Sequence, residues 1–434
     1  MRGVEKPDLS VIIPALKEPE NLAYLIPQIR SVLGPLKLVL EIIVVDELAD
    51  DKTRLVVAQN GAILLSPQSH GYGLALQAAF GSAHADYIVT MDADLSHPPE
   101  FLQEMWKGRH TADILIGSRY VAGGRAEMPL FRLWLSKTLN IFFSRGLDLK
   151  IKDMSSGFRM YNRRSILSDD LSGKDFNILQ EMLVKALMQG YRIREIPFTY
   201  RPRAFGSSHA RVIKFGLSYL QTFIELWRMR NSVASADYDA RAYDSWLFPQ
   251  RYWQRKRYQY ITNLAKGKGR CLDVGCGSSR ILTALPPDSV GLDVLLGKLR
   301  YAKRSKANLI QGSILNLPIK DRSFPCVICS QVIEHVKKDN VMNEIDRVVE
   351  PGGFLILGTP DYSKWQWVLI EWLYAKILPN AYADEHITRY TYGELIQEFV
   401  DKRGYTLEAN QYILQGELIL GLRKQLSTRI AGCG

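Results

Sequence analysis

Cysteine is scarce in this chain: five residues in 434, namely Cys271, Cys276, Cys326, Cys329 and Cys433. That excludes a secreted disulfide framework, and four of the five fall in or beside apolar runs where Cys serves as a small hydrophobe. Cys326 and Cys329 have metal-like spacing but no second pair, so a buried strand is the plainer expectation. Long hydrophobic runs are missing as well. No uninterrupted apolar stretch approaches the ~18 residues that cross a bilayer. The apolar stretch near the amino terminus, VIIPAL, is too short for a secretion signal. The expectation is a cytoplasmic chain that can still rest on the inner face of the cell membrane. Repeats, low-complexity tracts and nucleic-acid modules are also lacking, so no nucleic-acid partner is expected.

What the chain does have is size, positive charge and alternation. A length of 434 residues exceeds one ordinary core, so two domains are expected, and 47% hydrophobic with 23% charged residues is a globular composition. The formal net charge of +11 favours anionic partners: a membrane surface or phosphorylated substrates. In the first half, strand-like runs at 9–13, 40–45, 62–65, 87–91 and 114–117 alternate with helical patterns at 20–32, 50–59, 72–83 and 98–106. Such alternation predicts an α/β domain with a mostly parallel sheet and ligands outside the carboxyl ends of its strands. Apolar periodicity stops near 228–245, and a second strand–helix series starts at Arg270. We expect domains at 1–230 and 246–434, with a linker at 231–245.

Asp92-Ala93-Asp94 stands directly behind the apolar run YIVTM. Two carboxylates at one strand end are costly without a positive partner, and a divalent cation is the usual one. Mg²⁺ or Mn²⁺ held there neutralises a departing nucleotide diphosphate. A solvated acidic turn would explain an isolated Asp-Ala-Asp; the surrounding motifs decide against it.

Those motifs are VIIPALKEPENL (11–22), VVDELADDKT (44–53), DADLSHPPE (92–100), IGSRYVAGG (116–124) and DMSSGFRMY (153–161). Together they resemble the inverting family-two glycosyltransferases of GT-A fold, in the branch of dolichol-phosphate mannose synthase and its bacterial polyprenyl-phosphate relatives. The resemblance covers about residues 7–230 and implies a nucleotide-sugar donor, GDP-mannose or UDP-glucose, and a polyprenyl-phosphate lipid acceptor. By it, Pro14, Ala15 and Glu18 cradle base and ribose, and Asp46 contacts the nucleoside. Asp92, Ala93 and Asp94 carry metal and diphosphate, with Asp92 and Asp94 as the metal ligands. Arg119 faces the reacting phosphates, Arg132 and Ser136 grip the acceptor phosphate, and Arg203 sits on a loop over the diphosphate. Arg132 and Ser136 stand four apart, which puts them on one helix face. Three positions depart from the family pattern: Glu47 for a second Asp, Ser96 for Gln, and His209 for Lys. A hydroxyl acceptor needs a general base, whereas a phosphate is already an anion, and no early His is placed to serve. Stretches 130–143 and 211–230 combine apolar residues, Trp and basic ends, as helices lying in a headgroup layer do. Peripheral contact with an anionic membrane surface is therefore expected.

In the second half, CLDVGCGSSR (271–280) pairs a strand with a glycine turn, and Asp293 ends the next strand about twenty residues on. With GSILNLPIKDRSF (312–324), VICSQVIEHV (327–336) and EPGGFLILGTPD (350–361), these resemble the Rossmann-like class I S-adenosylmethionine-dependent methyltransferases over about 240–420. The resemblance implies that Asp273, Gly275 and Gly277 contact the methionine part of S-adenosyl-L-methionine, Asp293 the ribose, and Ser313 and Ile314 the adenine. Ser279 replaces a third glycine and Ser313 the usual acid. Glu334 and His335 are candidates for base or acceptor-steering roles; with Gln331 in place of a first Glu, no metal is expected there. His386 reads as structural, and the Trp-rich stretch 365–378 as a lid. The whole reads as a bifunctional enzyme that transfers a hexose to a polyprenyl phosphate and methylates an unidentified acceptor. Its rivals are a glycosyltransferase acting on hydroxyls in polysaccharide or glycolipid assembly, and a membrane-associated scaffold with an inactive methyltransferase-like half.

Overall fold

The computed structural model describes residues 5–166, 171–202, 215–306, 308–337, 340–377 and 386–426. Two compact units emerge, Met1–Leu187 with Tyr191–Trp227, and Met188–Gly190 with Arg228–Gly434.

The first unit runs β1 (Leu9–Pro14), α1 (Pro19–Leu33), β2 (Leu40–Val45), α2 (Asp51–Gln59), β3 (Ile63–Leu65), α3 (Tyr72–Ser82), β4 (Tyr87–Thr90), α4 (Phe101–Gly108) and β5 (Ile114–Ser118). It continues with β6 (Arg125–Ala126), α5 (Leu130–Gly146), β7 (Arg159–Asn162), α6 (Ile178–Met188), β8 (Ile193–Pro197), β9 (Thr199–Tyr200) and α7 (Phe215–Arg230). Val11, Ile12 and Ile13 of β1 are fully buried, because helices cover both faces of the sheet. On α1, Leu22, Leu25, Ile26, Ile29 and Leu33 recur at helical spacing and all face the core. Asp50 caps α2 by accepting the Thr53 N–H at 2.8 Å. The sheet order is β3-β2-β1-β4-β7-β5-β8, with β7 antiparallel to both neighbours. Strands β1, β2, β4 and β5 therefore point the same way, and the order reverses between β1 and β4. That is where a doubly wound sheet opens a crevice. The antiparallel β7 was not anticipated.

The second unit comprises α8 (Tyr238–Tyr243), α9 (Phe248–Ala265), β10 (Cys271–Val274), α10 (Ile281–Ala284), β11 (Val290–Asp293), α11 (Leu296–Ala302), β12 (Leu309–Gln311) and β13 (Phe324–Ser330). There follow α12 (Val341–Val348), β14 (Val349–Pro360), α13 (Trp365–Ile377), α14 (Tyr392–Ile396), β15 (Tyr405–Ile413) and β16 (Glu417–Lys424). Its sheet order is β12-β11-β10-β13-β14-β16-β15, parallel except for β16, so its crevice opens between β10 and β13. Cys271, Cys276, Cys326 and Cys329 are all buried here as free thiols.

One correction concerns 231–245, read as a linker. The stretch contains α8, and Tyr238 and Ala242, four apart, are buried under a polar composition. Arg230 also pairs with Asp237 within the interior. Among the described residues no helix is long and apolar enough to cross a membrane.

Candidate active sites

In the first unit Pro14 ends β1 with Ala15 next, Asp46 follows β2, and Asp92, Ala93 and Asp94 stand just past β4, at the carboxyl ends of the strands that flank the crevice. The chain folds back sharply behind β4, with Leu95 at φ 63. Asp92 is about a third exposed, and the His97 ring braces it from behind: Nδ1 accepts the Asp92 N–H at 3.0 Å, and Nε2 lies 3.7 Å from Asp92 Oδ2. Burial pushes the His97 imidazole below its ordinary pKa, although Asp92 opposes this. Stacked on Phe158, His97 is a neutral prop for the loop. Asp94 is buried and accepts the Ser96 N–H at 3.0 Å and its hydroxyl at 2.5 Å. Gly157 passes close by: a Cβ there would lie 3.0 Å from Tyr72 Oη and 3.4 Å from Asp92 Oδ1. Two hard carboxylates on one short loop fit a divalent cation such as Mg²⁺ or Mn²⁺.

Asp46 is fully buried; its carboxylate accepts the N–H groups of Lys17 (2.8 Å) and Leu48 (2.9 Å), tying the β1 and β2 loops together. Glu18 accepts from the Asn21 amide at 3.0 Å at the start of α1. Arg119 differs most from expectation. Its Nε and Nη2 donate to Asp153 at 2.8 and 2.7 Å, and Nη2 also reaches the Ser155 hydroxyl. Asp153 is fully buried, so much of the charge expected to face phosphate is neutralised. The guanidinium lies 5.1 Å from the Tyr120 ring centroid, and Tyr120 donates its hydroxyl to Ser136 at 2.8 Å. Helix α5 thus brings Ser136 next to Arg119 through Tyr120, while Arg132 is exposed one turn away on the same helix. Asn140 locks α5 to the loop of Met154 and Ser155. Sequence reasoning missed Asp153, Tyr120 and Asn140, although Tyr120 lies in IGSRYVAGG and Asp153 opens DMSSGFRMY. Arg203 and His209 lie outside the described residues.

In the second unit a cavity of about 600 Å³ opens at the crevice, lined by Gly275, Asp293, Ser313, Ile314 and His335 among others. Gly275 and Gly277 have φ of 70 and 54, and a Cβ would come 2.2 Å from Val332 Cγ2 and 2.5 Å from Asp239 Oδ2 respectively. Only glycine fits either place. Asp293 accepts the N–H groups of Gly277 (2.9 Å) and Leu295 (2.8 Å), and Ser313 that of Leu315. Asp273 is buried beneath, and its Oδ2 has no hydrogen-bond partner among the described residues. Burial, then Cys271, Asp293 and Asp239, pushes its pKa up to about 8. An orphaned acid beside a glycine cradle fits the charged methionine end of S-adenosylmethionine. Asp239 and Lys298, 3.3 Å apart, also line this cavity. Burial opposes ionisation of Asp239, yet Lys298 and the Ser278 N–H outweigh it and hold the acid below its ordinary range. Asp239 went unread because it lay in the supposed linker.

Glu334 and His335 differ in burial. Glu334 is fully buried, its pKa raised to about 8 by burial, and accepts from Thr359 Oγ1 at 3.2 Å. His335 lines the cavity. His386, read as structural, joins them: the three place ligand atoms within 4.8 Å of one another and could hold a cation. His386 Nδ1 in turn faces Tyr362 Oη at 2.7 Å and Glu371 Oε1 at 3.0 Å. Helix α13 turns Trp367 and Ile370 into a second cavity and leaves Trp365 and Trp372 exposed, as a covering helix does.

Residues 10–168 match the family model for glycosyl transferase family 2, and residues 272–357 that for a methyltransferase domain. The chain is 30% identical over 236 residues to the low-salt glycan biosynthesis hexosyltransferase Agl6 of Haloferax volcanii, covering 51% of this chain and 52% of that protein. It is 35% identical over 210 residues to a dolichol-phosphate mannosyltransferase of Pyrococcus furiosus, covering 46% and 58%. The chain thus spans little more than half the length of these curated relatives. Among solved structures, glucosyl-3-phosphoglycerate synthase of Mycobacterium tuberculosis, in complex with Mn²⁺, UDP and glucosyl-3-phosphoglycerate, overlaps at TM-score 0.40 and 18% identity, over 52% of this chain and 80% of that one. A SAM-dependent methyltransferase of Thermotoga maritima overlaps at TM-score 0.31 and 17% identity, over 40% and 95%. The chain carries a glycosyl transferase family 2 domain followed by a methyltransferase domain.

Proposed function

We propose that the first unit transfers a hexose from a nucleotide sugar, GDP-mannose or UDP-glucose, to a polyprenyl phosphate, working peripherally on the cytoplasmic face of the membrane. The observation that carries this is the Asp92–Asp94 loop at the β1–β4 crevice. A divalent cation there neutralises the leaving nucleoside diphosphate. His97 accepts the Asp92 backbone N–H and Ser96 donates to the Asp94 carboxylate, so the loop that carries both acids is set before the donor arrives. Inversion is a single displacement at the anomeric carbon. An acceptor phosphate attacks as an anion, and His97, beside the acids, is spent on holding their loop. In this reading Ser136 and the exposed Arg132 grip that phosphate. The dolichol-phosphate mannosyltransferase among the relatives supports a lipid-phosphate acceptor. Helix α5 supports a membrane surface: Leu130, Phe131, Trp134, Ile141 and Phe142 are exposed beside Arg132, Lys137 and Arg145, and the helix has no acid.

The second unit, in this reading, binds S-adenosylmethionine in the larger cavity, Asp273 and the Gly275–Gly277 turn holding its amino-acid end. Incubating the chain with polyprenyl phosphate and a panel of nucleotide sugars, with and without chelator, tests the first half. An acid-labile glycolipid that needs metal and disappears in Asp94→Ala is the expected result; transfer to hydroxyl acceptors alone would replace it. Cofactor binding without methyl release would leave the second unit a binding module.

A further inference from the structure

The second unit holds another cavity, of about 170 Å³. Tyr238, Arg257 and Gln331 line it and the larger one alike, so its occupant lies against the cofactor cavity. Trp253 and Trp367 form two of its walls, their ring centroids 5.9 Å apart and their planes tilted by 59°. Gln250, Gln254 and Glu371 add amide and carboxylate groups to the lining.

Charge narrows the occupant. Arg257 donates Nε and Nη2 to the fully buried Glu417 at 2.6 and 2.7 Å, so its cation is neutralised at source. Glu371 is held by Tyr362, which donates its hydroxyl to it at 2.7 Å. A phosphate or carboxylate would find no uncompensated positive charge in this lining. The volume suits a single six-membered ring with its substituents. Tryptophan faces pack against the C–H face of a pyranose, and glutamine amides bond its hydroxyls.

Gln331 marks the reacting edge. It follows β13 in a left-handed conformation, φ 59, fixed by its N–H donating to Gly358 O at 2.8 Å. Such strain in a non-glycine residue persists where the surroundings impose it, and functional sites are where it collects. Its Nε2 is buried with no hydrogen-bond partner among the described residues. A buried donor at the junction of two cavities calls for an oxygen from a ligand.

Resting on the methyltransferase reading, we infer that the small cavity binds a neutral glycosyl ring, that Gln331 positions it by donating to one of its oxygens, and that the second unit is a sugar O-methyltransferase. A ring hydroxyl oxygen bonds the methyl carbon as the sulfur–methyl bond breaks. The bonding pair returns to sulfur, giving S-adenosylhomocysteine, and the hydroxyl proton is released to the medium. A glycosyl acceptor is also the class of group that a hexose transfer supplies.

The test uses the full chain, S-adenosylmethionine labelled in the methyl group, and octyl gluco-, manno- and galactopyranosides, with phenol and octylamine as sugar-free probes. Calorimetry first measures cofactor affinity. Label on a hydroxyl oxygen of a hexoside, as a methyl ether, is expected. Gln331→Asn tolerates the left-handed backbone but withdraws the amide, and should raise the KM for the hexoside at least tenfold. Gln250→Ala, which lines only the small cavity, should raise it while cofactor affinity stays within twofold. Cofactor binding with label only on phenol or amine overturns the inference and leaves the methyltransferase reading standing. So does cofactor binding with hexosides that take no label and leave tryptophan fluorescence unchanged. An unchanged KM in Gln331→Asn removes the role of that residue. No cofactor binding at all removes the methyltransferase reading, and the inference with it.

Discussion

Asp273 and Arg119 show how burial changes what a charged residue does. The folded pKa of Asp273 is about 8 against an ordinary 3.8, so the native state keeps a proton that the unfolded chain gives up. Its contribution is fully present below about pH 4 and is lost as pH rises toward 8. Asp273→Asn should flatten the stability–pH curve of the second unit in that window, by up to ~1.4 kcal/mol per pH unit, in urea titrations at several pH values. If the cofactor's ammonium ionises this acid, binding near neutral pH releases a proton. Calorimetry in buffers of different ionisation heat should show it, and Asp273→Asn should abolish it. For Arg119, the fully buried Asp153 supplies the counter-charge. Asp153→Ala should cost the first unit about 3–5 kcal/mol, because it strands a guanidinium in the interior, and should abolish hexose transfer.

Helices α5 and α7 work as a pair within the first unit. Phe142 and Phe223 lie 4.4 Å apart between centroids, and Gly146 permits this, since a Cβ there would meet Phe223 at 2.5 Å. Gly146→Val should destabilise the unit by about 1–3 kcal/mol through overpacking, read as a shifted urea midpoint. The exposed Trp134 of α5 is a separate matter. Trp134 is 62% exposed, so Trp134→Glu should leave the fold intact while weakening sedimentation with vesicles containing anionic lipid. That binding should also fall as salt rises. Unchanged binding would take the membrane role away from this helix.

Each unit of the molecule has its own seven-stranded sheet and its own buried cluster. A ligand that binds only the native state of one unit raises that unit's transition. Scanning calorimetry should show two transitions, with Mn²⁺ and either GDP or UDP raising one and S-adenosylhomocysteine the other. At a hundredfold excess over Kd the gain is about 2.7 kcal/mol for the unit concerned. A scan in which neither GDP nor UDP, each with Mn²⁺, moves either transition would weigh against the hexose-transfer reading.

The strand–helix alternation of the first half was legible residue by residue, because buried parallel strands and amphipathic helices write their period locally. The residues at strand ends were legible for the same reason: Asp92 and Asp94 behind an apolar run, Gly275 and Gly277 in a tight turn. What the tertiary structure alone decided is who meets whom. Asp153 neutralises Arg119, Asp239 reaches Gly277 from a stretch that read as linker, and His386 joins Glu334 and His335. Gln331 falls between two cavities in the same way. Such meetings depend on contacts between residues far apart in the chain, and no local period records them.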